Sequence, residues 1–245
     1  MPSGEGQNLW MRNRFALCAW ALVLIATLRI VSTWEVFNVT NDEPDHIACG
    51  MEWLDRHTYT LVDEHPPLAR ISTALGPYLL GIRSRGLAPN FTAEGWAILQ
   101  GQNQLDRNLK ASRAGILPFF WISCAVVFFG ARRLLGSVGA VVALFLWTNL
   151  PVVLAHGALA TTDMAVTAML GVAAIAAVRY LENPRLANAA LLSLAAALAL
   201  LCKFPRFRSW LSDCWACCSG IGACSANSAS ATCGTFWPPS LWAVL

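Results

Sequence analysis

The stretch NVTNDEPDHIACGMEWL, residues 38–54, gathers four ionisable side chains within five positions: Asp42, Glu43, Asp45 and His46. A carboxylate here can serve as general base, taking a proton from an incoming hydroxyl or amine. A low-dielectric boundary raises a carboxyl pKa toward the range where such transfer is efficient. Acids ahead of Pro44 are equally good helix-start residues, which is the plainer reading. A second stretch, DEHPPLAR at 63–70, sets two prolines between His65 and Arg70. The prolines fix a rigid bend, and Arg70 can grip a phosphate with two parallel hydrogen bonds. A loop turning back to a membrane, with Arg70 at the headgroups, accounts for the same residues. Third, ALATTDMAV at 158–166 places Asp163 behind Thr161 and Thr162. An acid at a membrane is costly and points to function, although Thr-Thr-Asp is also an ordinary helix start. Arg113 and Lys203 are further candidate phosphate partners, with anchoring at the membrane interface as the simpler role.

Membrane helices must position these residues. The chain is 56% hydrophobic and 13% charged, whereas soluble domains carry about 25% charged residues. A bilayer core of about 30 Å takes roughly 20 apolar residues in a helix. Five stretches approach that length, at 15–34, 114–131, 137–155, 163–181 and 186–203. None alternates like a strand, and an open sheet cannot satisfy its backbone in lipid. The fold class expected is therefore an all-α polytopic membrane protein of about five transmembrane helices. A large external loop, 35–113, would contain short interfacial helices, one of them in the apolar stretch 71–82. Pro118 and Pro151 are expected to kink the second and third helices. Ten of the 14 acidic residues lie between Glu35 and Asp106, inside that loop.

Charge placement orients the helices. Arg12 and Arg14 precede the first, Arg132 and Arg133 join the second and third, and Arg179 and Arg185 flank the turn between the fourth and fifth. With alternating helices all three basic sites share one side, which should be the cytoplasm, as should the N-terminus. The net charge of +3 argues against a nucleic-acid partner.

Residues 1–204 form one expected unit and 205–245 another. From Pro205 the helical periodicity stops, and Cys, Ser and Trp crowd together. A shifted reading frame or a disordered tail would produce this pattern. Six of the nine cysteines fall from Cys202 onward. Cys214 and Cys217 form a C-x-x-C pair, but the remaining spacings match no common zinc site, so no metal ligand is assigned. Asn38–Thr40 fits a glycosylation sequon very near the membrane.

Taken in order, the pieces are a first helix, NDEPDH, EWL, HPPLAR, a short apolar stretch, a second helix, TTDMAV and LCKF. Over roughly 15–204 this series resembles the GT-C superfamily, in the branch of dolichyl-phosphate-mannose protein mannosyltransferases and bacterial aminoarabinose transferases. The resemblance implies an inverting glycosyltransferase. A sugar would pass from a polyprenyl-phosphate donor to an acceptor on the external face. The acid after the first helix would be the catalytic base: Asp42, or failing that Glu43. Substrate binding would fall to His65, Arg70, Asp163 and Lys203, with Arg70 and then Lys203 stabilising the phosphate leaving group. The partners implied are membrane lipid, the donor and an unidentified acceptor, in a multi-pass protein of a bacterial inner membrane. No cofactor follows, and a divalent metal is neither required nor excluded.

Members of the family have many more membrane helices than this chain shows. The form expected is consequently truncated and inactive, since one flank of a donor groove would be open. A small transporter or channel subunit built on Asp163 and a non-catalytic structural fragment are the competing readings. Helices in the transporter reading should carry facing polar residues, and those at 137–155 and 186–203 carry almost none.

Overall fold

The computed structural model describes residues 4–61, 65–86 and 90–203, with side chains from Arg14 onward. The tail 205–245 and the acids Asp63 and Glu64 lie outside the described residues. Helix α1 runs Gly4–Thr33, α2 Asp42–Arg56, α3 Pro67–Leu79, α4 Phe91–Leu99 and α5 Leu105–Ala114. They are followed by α6 Leu117–Asn149, α7 Pro151–Ala158, α8 Asp163–Glu182 and α9 Leu186–Cys202. No strand occurs among the described residues. The protein is an all-α membrane protein, as its composition predicts.

Three helical stretches are long and apolar enough to cross a bilayer: Arg14–Thr33, Leu105–Asn149 and Asp163–Glu182. Helix α9, at 17 residues, is a shorter apolar helix. The second and third expected spans are two legs of α6. The chain reverses at Gly136, whose φ of 74° and ψ of −172° lie outside the helical region. Trp147 Nε1 donates to Ser123 Oγ at 3.1 Å, yet these residues would stand roughly 36 Å apart along a straight helix. Only a hairpin brings them together, and glycine tolerates the positive φ at its tip. Pro151 does not kink the third span but begins a new helix. Leu150 before it is extended, at φ −67° and ψ 122°, the conformation that a following proline favours. Pro118 likewise sits in the first turn of α6, where its missing N–H costs nothing.

The apolar helices share one core, in which Ile30, Phe120, Leu144, Met164, Ala168 and Ala199 are buried. Outward-facing residues such as Leu24, Leu134, Phe145, Leu170, Leu181 and Leu200 are exposed. Such broad apolar exposure suits a surface solvated by lipid. Helices α8 and α9 are joined by the short turn 183–185, where Asn188 Nδ2 donates to the Asn183 carbonyl at 2.8 Å. Arg133 pairs with Glu182 beside that turn. Two of the basic connectors therefore do lie on one side of the molecule. The start of α8 and the end of α9, carrying Asp163 and Lys203, lie at the opposite end.

Between α1 and α6, the short helices α2 to α5 form a polar cap. Asp42, Glu43 and Asp45 stand in the first turn of α2, where the helix dipole favours negative charge. Pro66 is extended and Pro67 opens α3, so the two prolines do set the bend read from the sequence. Asn90 accepts from the Ala93 amide at 2.9 Å and starts α4. The short helix expected near 71–82 is α3, which packs between α2 and α5 with Ala69, Arg70, Thr73 and Ala74 buried. Ile47, Met51, Ala74, Ile98, Leu99 and Leu109 make the cap's own core.

Glycines let these helices touch backbone to backbone. A methyl group at Gly50 of α2 would lie 2.0 Å from the Arg70 carbonyl oxygen of α3. At Gly95 of α4 it would lie 2.1 Å from the Pro44 oxygen, and at Gly76 of α3 2.1 Å from the Ala111 oxygen. No other residue permits such an approach.

Candidate functional site

Residues Asp42, Asp45 and His46 occupy one face at the start of α2, three and four positions apart. Their environments differ sharply. Asp42 is exposed, whereas Glu43 beside it is fully buried. All four acceptor positions of Glu43 are filled. Oε1 accepts from Arg113 Nε at 2.8 Å and the Ala160 amide at 2.9 Å. Oε2 accepts from Arg113 Nη2 at 3.0 Å and the Thr40 amide at 2.9 Å. Burial pushes the Glu43 carboxyl up, but these hydrogen bonds outweigh it and hold the group below its ordinary value. A carboxylate so engaged has no lone pair left for a substrate proton. Arg113 is correspondingly not an interface anchor. It is fully buried, and it also donates to the carbonyls of Phe37 and Asn38 at 3.1 and 2.9 Å.

Asp45 is half-buried, and one of its oxygens is buried without a hydrogen-bond partner. Burial first, and then the charge of Asp42, raises its pKa against the lowering effects of Thr92 and Arg70. A carboxyl with a raised pKa next to an exposed carboxylate is an arrangement suited to proton transfer.

Arg70 is 2% exposed. Its Nε donates to His46 Nδ1 at 3.2 Å, and its Nη1 donates to the Tyr59 hydroxyl at 2.9 Å. Tyr59 donates onward to the carbonyl of His65 at 2.5 Å. The His46 and His65 rings meet edge to face, with centroids 6.1 Å apart. Burial, followed by the charges of Arg70 and His65, lowers the His46 pKa to about 3. The imidazole is neutral at any physiological pH. Burial likewise pushes the Tyr59 phenol up to about 12.

Asp163 and Lys203 form an ion pair at 2.6 Å, with His156 Nδ1 3.5 Å from the other Asp163 oxygen. Their charges reach His46, and α3 packs against α9. Four residues singled out in the sequence, His65, Arg70, Asp163 and Lys203, thus converge with His46 beside the start of α2. Sequence reading had no means of finding the Arg70–Tyr59 link or the His156 contact, because each depends on a fold-level approach. His46 was signalled only as one of the ionisable residues crowded into 42–46.

The Asp163, Lys203 and His156 side chains are 39%, 36% and 41% exposed, so the cluster opens to the surroundings. A separate cavity of about 270 Å³ lies between the end of α1 and α5, lined by Trp34, Glu35, Phe37, Asn38, Asp106 and Lys110 among others. None of the candidate residues lines it. Among the described residues no group of three His, Cys, Asp or Glu side chains is placed to hold a metal ion. Beyond Asp163, helices α8 and α9 bury Met, Ala and Cys side chains, which offers little to a polar transport path.

Residues 105–208 match the family model described as dolichyl-phosphate-mannose-protein mannosyltransferase. No curated protein and no solved structure matches the chain. The matched segment contains α5 to α9 with Arg113, Asp163 and Lys203; Glu43 of the cap binds Arg113 directly, and the charges of Asp163 and Lys203 reach His46. Over residues 105–208 the chain is thus similar to the GT-C-type dolichyl-phosphate-mannose-protein mannosyltransferase family, a likeness in keeping with its apolar membrane helices.

Proposed function

We propose that the cap and the adjoining helix ends form the external face of a polyprenyl-phosphate-sugar-dependent glycosyltransferase. The observation supporting this reading is the buried Arg70–His46 pair, reached by the charges of Asp163 and Lys203, on the same first turns of α2 that carry the exposed acid Asp42. Asp42 is the base that takes the acceptor proton as the acceptor oxygen or nitrogen attacks the anomeric carbon. The bond from that carbon to the phosphate oxygen breaks, and the electron pair leaves with the phosphate. Lys203 and Arg70 stabilise the charge that develops there. His65 and Asp163 hold the surrounding geometry, His65 through Tyr59 and Asp163 through its pair with Lys203. Glu43, the alternative base, acts as a buried staple that fixes Asp42. The three basic connectors favour a cytoplasmic N-terminus in a bacterial inner membrane, with the cap outside.

The described helices leave this cluster open on one side. Transfer needs water excluded from the reacting atoms and the donor held in place. The 245-residue chain is accordingly a lipid-phosphate binder without transferase activity. The test uses the purified chain in nanodiscs, with a radiolabelled polyprenyl-phosphate sugar. Saturable binding that drops at least tenfold in Lys203→Met, with no sugar transfer, is the expected result. Absence of binding overturns the donor assignment. Measurable transfer that disappears in Asp42→Asn overturns the inactivity and makes the chain an enzyme.

A further inference from the structure

The hydrogen bond between Arg70 and His46 determines where the imidazole carries its proton. A guanidinium has donors only and stays charged in proteins. Arg70 Nε therefore requires an acceptor, and at 3.2 Å that acceptor is His46 Nδ1. A neutral imidazole has one N–H, so with Nδ1 unprotonated the proton stands on Nε2. The ring cannot easily exchange this tautomer for the other. Moving the proton to Nδ1 would set two donors against each other inside a buried site.

The ring is also held in place. His46 is 8% exposed, its ring makes a T-shaped contact with that of His65, and Arg70 is also held by Tyr59. The charged and titratable groups acting on it come from separate elements. They are Arg70 on α3, His65 just before α3, Asp163 at the start of α8, and Lys203 after α9. A third cation there would face Arg70 and Lys203, with the Asp163 carboxylate already paired to Lys203. A neutral N–H donor adds a contact for an anion without adding charge.

We propose that His46 is a positioning residue whose Nε2–H holds a phosphate oxygen of the lipid-linked donor, between the charges of Arg70 and Lys203. The assignment rests on the donor class argued above. It goes further by giving a neutral residue, not a charged one, the task of orienting the phosphate.

The experiment uses the 245-residue chain in nanodiscs, with its histidines labelled with nitrogen-15. Before any ligand, the His46 two-bond spectrum should show an unprotonated Nδ1 and a protonated Nε2, unchanged from pH 8 to pH 5. A short-chain polyprenyl phosphate should shift the Nε2 resonance while Nδ1 keeps its pattern. Inorganic phosphate, tested at the same concentration, should do so weakly, and vesicles of an anionic phospholipid should not. His46→Gln, which keeps an amide donor near Nε2, should bind the polyprenyl phosphate within about threefold of the parent. His46→Asn, which keeps only an acceptor toward Arg70, should lose at least tenfold. A spectrum with Nδ1–H, or an imidazolium at pH 7, overturns the proposal. So does saturable binding that leaves Nε2 unmoved, which leaves the donor assignment standing. No binding of any phosphate probe overturns both. An equal response to anionic phospholipid would assign the contact to bulk headgroups and overturn the donor-specific role.

Discussion

Glu43 and Arg113 stand 70 positions apart in the chain and meet through two parallel hydrogen bonds of 2.8 and 3.0 Å, with both side chains fully buried. Glu43 also reaches the Ala160 amide across 117 positions. One buried pair thus joins the start of α2, the end of α5 and the link between α7 and α8. Removing one partner of a buried ion pair leaves an uncompensated charge, at a cost of about 3–5 kcal/mol. Glu43→Leu and Arg113→Leu should each lower the thermal unfolding midpoint strongly in detergent. The double variant should be less destabilised than the two effects added together, since neither charge is stranded. Asp42→Asn, at an exposed position, should stay within about 0.5 kcal/mol of the parent.

Stability should also depend on pH through His46. Its folded pKa, about 3, lies below the value near 6.5 expected when unfolded. The unfolded chain then binds the proton first. The stabilising contribution is fully present above about pH 6.5 and declines as pH falls toward 3, by at most about 1.4 kcal/mol per unit. Glu43 and Glu52, both held low, lose their contributions only below their ordinary value of 4.5. Asp45, whose pKa is raised, acts with the opposite sign and gains as pH falls. Denaturation of the parent and of His46→Gln should therefore diverge between pH 6.5 and 5, with the parent showing the steeper loss. Parallel curves would contradict a neutral buried imidazole.

The proposed orientation can be read directly with an impermeant thiol reagent in sealed cells. A cysteine introduced near Asn90 should label, and one near Arg133 should not. The reverse pattern would place the cap in the cytoplasm and remove the external face from the proposed reaction.

The glycine contacts predict large effects from small changes. Gly50→Ala should displace α3, because the new methyl would meet the Arg70 carbonyl at 2.0 Å. The Arg70–His46 bond should break with it. The expected readouts are a destabilisation of about 1–3 kcal/mol and loss of the His46 Nδ1 signature. Gly81→Ala meets nothing nearby, but its φ of +86° makes alanine strained there. It should cost about 1 kcal/mol and leave that signature intact.

Much of this was legible in the sequence where a boundary had its own chemistry. Helix α8 begins at Asp163 after two threonines, and α9 begins after Arg185, both within a residue of expectation. The reversal between the second and third spans was legible to within 132–136, but its form was not. Arg132 and Arg133 looked like a loop, but they continue the helix, and the turn falls on one glycine beyond them. The extra break at Leu150 followed from a proline taken as a kink. Within the site, the cluster of ionisable residues at 42–46 and the bend before Arg70 were visible. The partners of Glu43 were not, because two of its hydrogen-bonded groups lie on distant segments and two are backbone amides with no side-chain signature.

The contact at Gly50 bears on how this protein can vary. Helices that pack through side chains drift by an ångström or so when those side chains are exchanged. Between α2 and α3 the spacing is set by peptide atoms, which are the same whatever residues surround them. The cap's hydrophobic cluster can thus be repacked with other aliphatic residues while His46 and Arg70 keep their separation. If the proposed function holds, variation in donor preference is expected at the exposed side chains of Asp42, Asp163 and Lys203 rather than in the α2–α3 spacing.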